Sequence, residues 1–155
     1  MFTLTIYLLC LAIWLGAMVF FSAFVAPIIF TRLTVAQAGA VVSALFPRYY
    51  ILGYVVGAIG TLLAVYFAAA RGPRGWWSGA AVALALAVAL TIYAGFVVRP
   101  RVDAIRAVAE DPDPDPALKA EFDELHRRSV TVNGAVLVLN LFALVATAAA
   151  LAPNA

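Results

Sequence analysis

Along this chain, charged side chains gather in a few clusters separated by long apolar runs. None lies between Met1 and Thr31, between Tyr49 and Ala70, between Gly75 and Val98, or from Ser129 to Ala155. Each run is long enough to cross about 30 Å of hydrocarbon, which takes roughly 20 helical residues. A helix satisfies its own backbone hydrogen bonds and so can sit in lipid. The runs lack the apolar–polar alternation of barrel strands. The pattern predicts membrane-crossing helices over about residues 4–30, 49–70, 76–98 and 129–151.

The connections carry their own signals. Pro27 is expected to bend the last turn of the first helix. Thr34, with Gln37 three residues on, fits a capping box, and Val35, Ala38, Val42 and Leu45 recur at helical spacing. Pro47 is expected to end that segment, giving a short interfacial helix over about 34–46. The third connection centres on Asp111-Pro112-Asp113-Pro114-Asp115-Pro116, where alternating proline forbids helix and favours an extended turn. Val102, Ile105 and Ala109 share a helical face before it, and Leu118, Phe122 and Leu125 share one after it. Folding back at the turn sets Ile105 opposite Phe122 and Val102 opposite Leu125. This predicts a helical hairpin over about 101–128, continuing the third and fourth helices into water. Asp115 would cap its second arm, with Pro116 at the first position. Lys119 with Asp123, Asp123 with Arg127, and Glu124 with Arg128 stand at the i,i+4 spacing of helical ion pairs.

Composition supports this picture. Hydrophobic residues make up 66% of the 155 and charged residues 12%, far from the roughly even apolar share and quarter charged of a soluble domain. The expected fold class is therefore an all-α integral membrane protein, a single domain over 1–155. It is a four-transmembrane-helix bundle with a short interfacial helix and a cytoplasmic helical hairpin between helices 3 and 4. The first run has no basic residue before it and exceeds a signal core, so it reads as a retained helix. Trp76 and Trp77, and Tyr49 and Tyr50, suit the headgroup belt. Eight basic residues (Arg32, Arg48, Arg99, Arg101, Arg106, Lys119, Arg127 and Arg128) fall on one side, and only Arg71 and Arg74 on the other. That bias places the hairpin in the cytoplasm and both termini outside, in a bacterial inner membrane.

Candidate chemistry is sparse. There is no Gly-rich phosphate loop, no HExxH and no GxSxG, so no catalytic residue is assigned and the protein reads as a non-enzyme. Cys10 is the only cysteine and His126 the only histidine, so a CxxC site and a bis-histidine haem within one chain are both excluded. Soft ligands Cys10, Met18, Met1 and His126 leave copper as an alternative, against a plain packing or lipid-facing role. No cofactor is otherwise expected and no metal ligand is assigned. His126, Asn133, Asn140 and Thr147 are each seven residues apart, nearly two turns, and so share a face. Amides in an apolar helix should turn inward, either to bond other helices (Ser22, Thr91 or Tyr93) or to line a polar path. Arg48, Arg99, Arg101 and Glu124 are candidates for the cytoplasmic mouth of such a path. Glu124 or Asp123 would pair with the arginines there, and snorkelling to phosphates is the alternative. Gly53, Gly57 and Gly60 give a GxxxG-type face for close helix packing, within the chain or between copies.

Several short motifs together resemble a known family. They are Trp14-Leu15-Gly16, Pro27, Ala38-Gly39, Leu45-Phe46-Pro47-Arg48-Tyr49-Tyr50, Arg99-Pro100-Arg101, Phe122, Leu125-His126-Arg127-Arg128-Ser129 and Asn133. The chain is similar to bacterial members of the transmembrane protein 205-like family, a domain of unknown function, and more distantly to copper-resistance D-like membrane proteins. The resemblance implies a four-helix membrane domain with no settled activity. The copper-resistance relatives carry more membrane histidines than this chain. Two roles follow as expectations: a non-enzymatic protein that handles a small solute or ion or assists a larger membrane assembly, or an oxidoreductase component holding copper, haem or quinone. Expected partners are the lipid bilayer and a larger membrane complex or homo-oligomer, with no nucleic acid.

Overall fold

The computed structural model describes residues 1–72, 75–109 and 115–152. Four helices are long and apolar enough to cross a membrane, and no strand occurs among the described residues. Helix α1 joins Phe2–Phe20, a π-helical turn at Phe21–Val25, and Ala26–Arg32. Helix α2 is Val35–Arg71. Helix α3 joins Trp76–Tyr93, a second π turn at Ala94–Val98, and Arg99–Ala109. Helix α4 is Pro116–Leu151. At 1.5 Å per residue, the 37 residues of α2 reach about 55 Å, well beyond the hydrocarbon thickness of about 30 Å.

Both π turns end two residues before a proline, Pro27 in α1 and Pro100 in α3. A proline ring clashes with the carbonyl four residues back, here that of Ala23 or Phe96, and each of these lies inside its π turn. The wider i→i+5 turn moves that carbonyl away, and the helix runs on past each proline. Pro47 behaves differently again. The helix runs through it without a break, and the interfacial segment over 34–46 is no separate element but the first turns of α2. One backbone donor is lost there, and Arg48 Nη1 donates to the Ala44 carbonyl at 3.0 Å in the same turn. The expected start of that segment is present. Thr34 accepts from the Gln37 N–H at 3.4 Å, and Gln37 Oε1 accepts from the Thr34 N–H at 3.1 Å.

The core runs through all four helices, with Tyr7, Leu11, Trp14 and Met18 of α1 against Trp77, Leu84 and a series of alanines. Gly53, Gly57 and Gly60 are buried. A Cβ built on Gly57 would stand 2.7 Å from two atoms of the Trp14 ring and from a Val88 methyl. The glycine face of α2 thus receives α1 and α3 of the same chain. Lipid tails are as apolar as the side chains, so close contact of this kind rather than solvent exclusion holds membrane helices together. Along the circuit, α3 packs extensively against α2 and α4, and α1 packs against α2. The seam between α1 and α4 is the least closed, and the later parts of α1, from Phe21 on, meet α4 little or not at all.

The hairpin forms from the ends of α3 and α4. Val98, Val102 and Leu125 bury together, with Tyr93, Ile105 and Phe122 packed around them. Asp115 caps α4, its carboxylate accepting from the Ala117 N–H at 2.8 Å. Arg106 and Lys119 lie 5.7 and 5.8 Å from the centre of the Phe122 ring. Lys119 pairs with Asp123 as the spacing implied. Arg127, however, pairs with Glu124 three residues back, Asp123 being already engaged. The turn residues Asp111, Pro112, Asp113 and Pro114, the Ala109 side chain, and Pro73 and Arg74 lie outside the described residues.

Candidate functional site

Near the hairpin end of the bundle, α1, α2, α3 and α4 enclose a small cavity of about 10 Å³, lined by Trp14, Tyr49, Tyr50, Gly53, Thr91, Ala94, Val132, Asn133 and Val136. That is room for about one water-sized group. The polar contact across it is between α2 and α4, where the Tyr49 hydroxyl donates to Asn133 Oδ1 at 3.2 Å. Tyr50, beside it, directs its hydroxyl at the Ser129 side chain. Thr91 turns its hydroxyl to its own helix, donating to the Ala87 carbonyl at 2.7 Å. Gly53 opens the wall: a Cβ there would lie 3.3 Å from Trp14 Nε1. No charged side chain lines the cavity.

An aromatic ladder surrounds the cavity. Phe21 of the first π turn meets Phe46 and Tyr49, with ring centres 5.5 and 5.6 Å away. Tyr50 stacks on Phe46 and Tyr54, and Tyr54 stacks on Phe96 of the second π turn. Gly95 in that turn leaves space for the Tyr54 hydroxyl, which would collide with any Cβ. Just beyond, Asp103 holds Arg99 at 3.2 Å and accepts from Ser43 Oγ at 3.2 Å, tying the start of α2 to the hairpin. Arg128 donates to the Tyr93 hydroxyl at 3.4 Å.

The residues of the polar stripe meet different fates. His126 is exposed in the hairpin, its ring stacked on Phe122 at 6.3 Å. Asn133 is half-buried at the cavity. Asn140 is fully buried, but its Nδ2 donates to the Val136 carbonyl of its own helix at 2.9 Å, and its Oδ1 has no partner. The expected interhelical bond at Asn140 is therefore absent. Thr147 meets the Tyr7 hydroxyl at 2.7 Å and also donates to the Ala143 carbonyl. Ser22 is exposed, so of the partners expected for the amides none is used, and Tyr49 is used instead.

The mouth residues also differ from expectation. Arg48 bonds backbone, Arg99 pairs with Asp103 of its own helix, Arg101 is exposed, and Glu124 pairs with Arg127. The arginines reach near partners along their own helices before any across the gap to Glu124 or Asp123. Cys10 and Met18 are buried in the core, with Cys10 near Gly60 and His126 out in the hairpin, so these copper candidates do not converge. Among the described residues no three His, Cys, Asp or Glu side chains come together as a metal set.

Sequence reasoning passed over Trp14, Tyr49 and Tyr50 as site residues and did not single out Ser43 or Asp103. A signal was present for two of them. Tyr49 stands four residues, and Tyr50 three, before Gly53, so both share the packed glycine face of α2 and point inward rather than to the headgroup belt.

Residues 9–111 match the family described as Domain of unknown function (DUF4149), and the chain belongs to that family. No curated protein and no solved structure matches it. Nothing in these comparisons points to the transmembrane protein 205-like family or to copper-resistance D-like proteins.

Proposed function

We propose that this member of the DUF4149 family is a non-enzymatic membrane protein that binds a small molecule at the hairpin end of its bundle rather than passing it through. The observation behind this reading is the contrast along the bundle axis. Polar groups meet a cavity at Tyr49, Asn133 and Trp14, while the middle is filled by Trp14 against Gly57 and by the apolar core. The proposed setting is a bacterial inner membrane, with the hairpin in the cytoplasm and both termini outside, from the bias of basic residues.

Native purification of the full chain from membranes, with mass spectrometry of what co-purifies, tests the reading. A small molecule held stoichiometrically, and lost with Asn133→Leu, supports it. A protein that emerges with nothing bound, at full stability, overturns it. A second reading, assistance to a larger membrane assembly, draws on the apolar side chains exposed over residues 21–47, among them Ile28 at 61% and Val35 at 68%. A stoichiometric partner protein in the same preparation would favour it. A Soret band or stoichiometric copper would favour an oxidoreductase component instead. For topology, Glu121→Cys in a Cys10→Ala background should resist an impermeant thiol reagent added to whole cells.

A further inference from the structure

The cavity has an imbalance of hydrogen-bonding groups. Asn133 Oδ1 is taken by Tyr49. That leaves the two N–H bonds of its Nδ2, for which no protein acceptor is seen among the described residues. The Trp14 indole N–H is in the same position, facing Gly53 at the cavity wall, although Trp14 is 97% buried, with 3% exposure. Donors without acceptors select a ligand that accepts. The lack of any charged lining residue selects a neutral acceptor, because an anion buried there would have no countercharge.

Access follows from the helix seams. Tyr7 and Thr147 close α1 onto α4 at the far end. Toward the hairpin that seam is the least packed, and from the π turn at Phe21–Val25 onward α1 meets α4 little or not at all. Tyr49, Val132 and Asn133, all half-buried, stand at the cavity. An opening between α1 and α4 faces lipid rather than water, so what enters it is dissolved in the bilayer. The cavity volume admits only the accepting oxygen and leaves the apolar remainder of the molecule in the seam.

We infer that the α1–α4 seam is a lateral binding site for the carbonyl group of a lipophilic molecule, with Asn133 Nδ2 and Trp14 Nε1 donating to that oxygen. This rests on the binding reading above and names its ligand class. A quinone and the ester of a phospholipid share this chemistry, and the test separates them.

The test uses ¹⁵N-tryptophan-labelled full-length protein in nanodiscs of ether-linked phospholipid, which lack the ester carbonyl. The Trp14 indole signal is identified by its loss in Trp14→Phe. Decylubiquinone, dioctanoylphosphatidylglycerol and decane are titrated in turn. A carbonyl probe should move the Trp14 indole proton downfield, saturably. Asn133→Leu should weaken that binding about tenfold, the worth of one hydrogen bond, while the other two indole signals stay dispersed as in the folded protein. Saturation by the quinone alone identifies a quinone site, and saturation by the ester lipid with displacement of the quinone identifies a lipid site. If decane gives the same saturable shift, or folded Asn133→Leu binds the carbonyl probes undiminished, carbonyl recognition is overturned and the pocket remains a binding site. If no probe shifts Trp14 in the folded wild-type protein, both the inference and the binding reading fall.

Discussion

At the end of the bundle that holds Phe2 and Leu151, Tyr7 packs edge to face on Phe67 and Trp77, which lie tilted on each other, with ring centres 4.5 to 6.1 Å apart. Arg71 lies 5.6 Å over the Trp77 ring, and the Tyr7–Thr147 hydrogen bond is sealed inside. At the hairpin end a larger set of rings surrounds a Tyr49–Asn133 bond of the same kind, yet that bond is only partly buried and a cavity opens beside it. Both ends also contain a buried indole whose N–H meets no protein acceptor among the described residues. At the closed end it belongs to Trp77, in the packed core. At the hairpin end it belongs to Trp14 and faces space. Tyrosine, tryptophan and a polar partner on α4 are therefore common to both ends. What marks the hairpin end as the candidate site is the room beside Trp14, which comes from Gly53 and from the parting of α1 and α4.

The comparison can be broken most forcefully at the point that divides the ends. Gly57→Ala sets a methyl 2.7 Å from Trp14 and Val88 and should cost about 1–3 kcal/mol, read as a lowered unfolding midpoint in detergent. Gly16→Ala and Gly134→Ala meet nothing within 4 Å and should be neutral or raise stability by up to about 1 kcal/mol. If all three behave alike, the glycine face does not set the packing.

At the closed end, a double-mutant cycle of Tyr7→Phe and Thr147→Val should give a coupling of about 1 kcal/mol. The same cycle of Tyr49→Phe and Asn133→Leu should give a smaller coupling, about 0.6 kcal/mol, because that bond is longer and partly exposed. Equal couplings would erase the distinction between the ends. Between them, Asn140→Leu should leave stability within about 1 kcal/mol of wild type, since it removes an unpaired buried oxygen while adding volume to a tight core. The smallest effect is expected at the exposed contacts of the hairpin end. Ser43→Ala and Asp103→Asn loosen exposed contacts and should each cost no more than about 0.5 kcal/mol, a difference that salt titration of the unfolding midpoint would diminish further.

The four spans were legible in the sequence because transfer of apolar length into lipid dominates their energetics, and the runs up to Ala70 and from Ser129 carry that signal without ambiguity. The hairpin was legible because Val102, Ile105, Phe122 and Leu125 keep helical spacing among charges. The Thr34–Gln37 cap was legible from two residues. Phase along a helix was not. Pro27, Pro47 and Pro100 present the same local chemistry in sequence, yet two are absorbed by π turns and one is passed through. The inward turn of Asn133 was legible from its cost in lipid. Its partner was not, because Tyr49 at the start of an apolar run carries the same signal as a belt tyrosine.

The π turns have a consequence for how this fold can vary. A π turn holds one residue more than an α-helix over the same rise, so each behaves as a single-residue insertion absorbed without a loop. Deleting one residue from Phe21–Val25 would restore an α-helix and leave everything after it close to its present rotation, with Ile29 still set against Ala38 and Val42, the residues it buries against. The matching deletion in Ala94–Val98 would keep Val102 against Leu125. Helices α1 and α3 can thus each give up one residue here and keep their angular setting. A one-residue indel in the regular turns elsewhere would dial the ends of the bundle against each other by about 100°, whereas the π turns absorb one without moving the hairpin end.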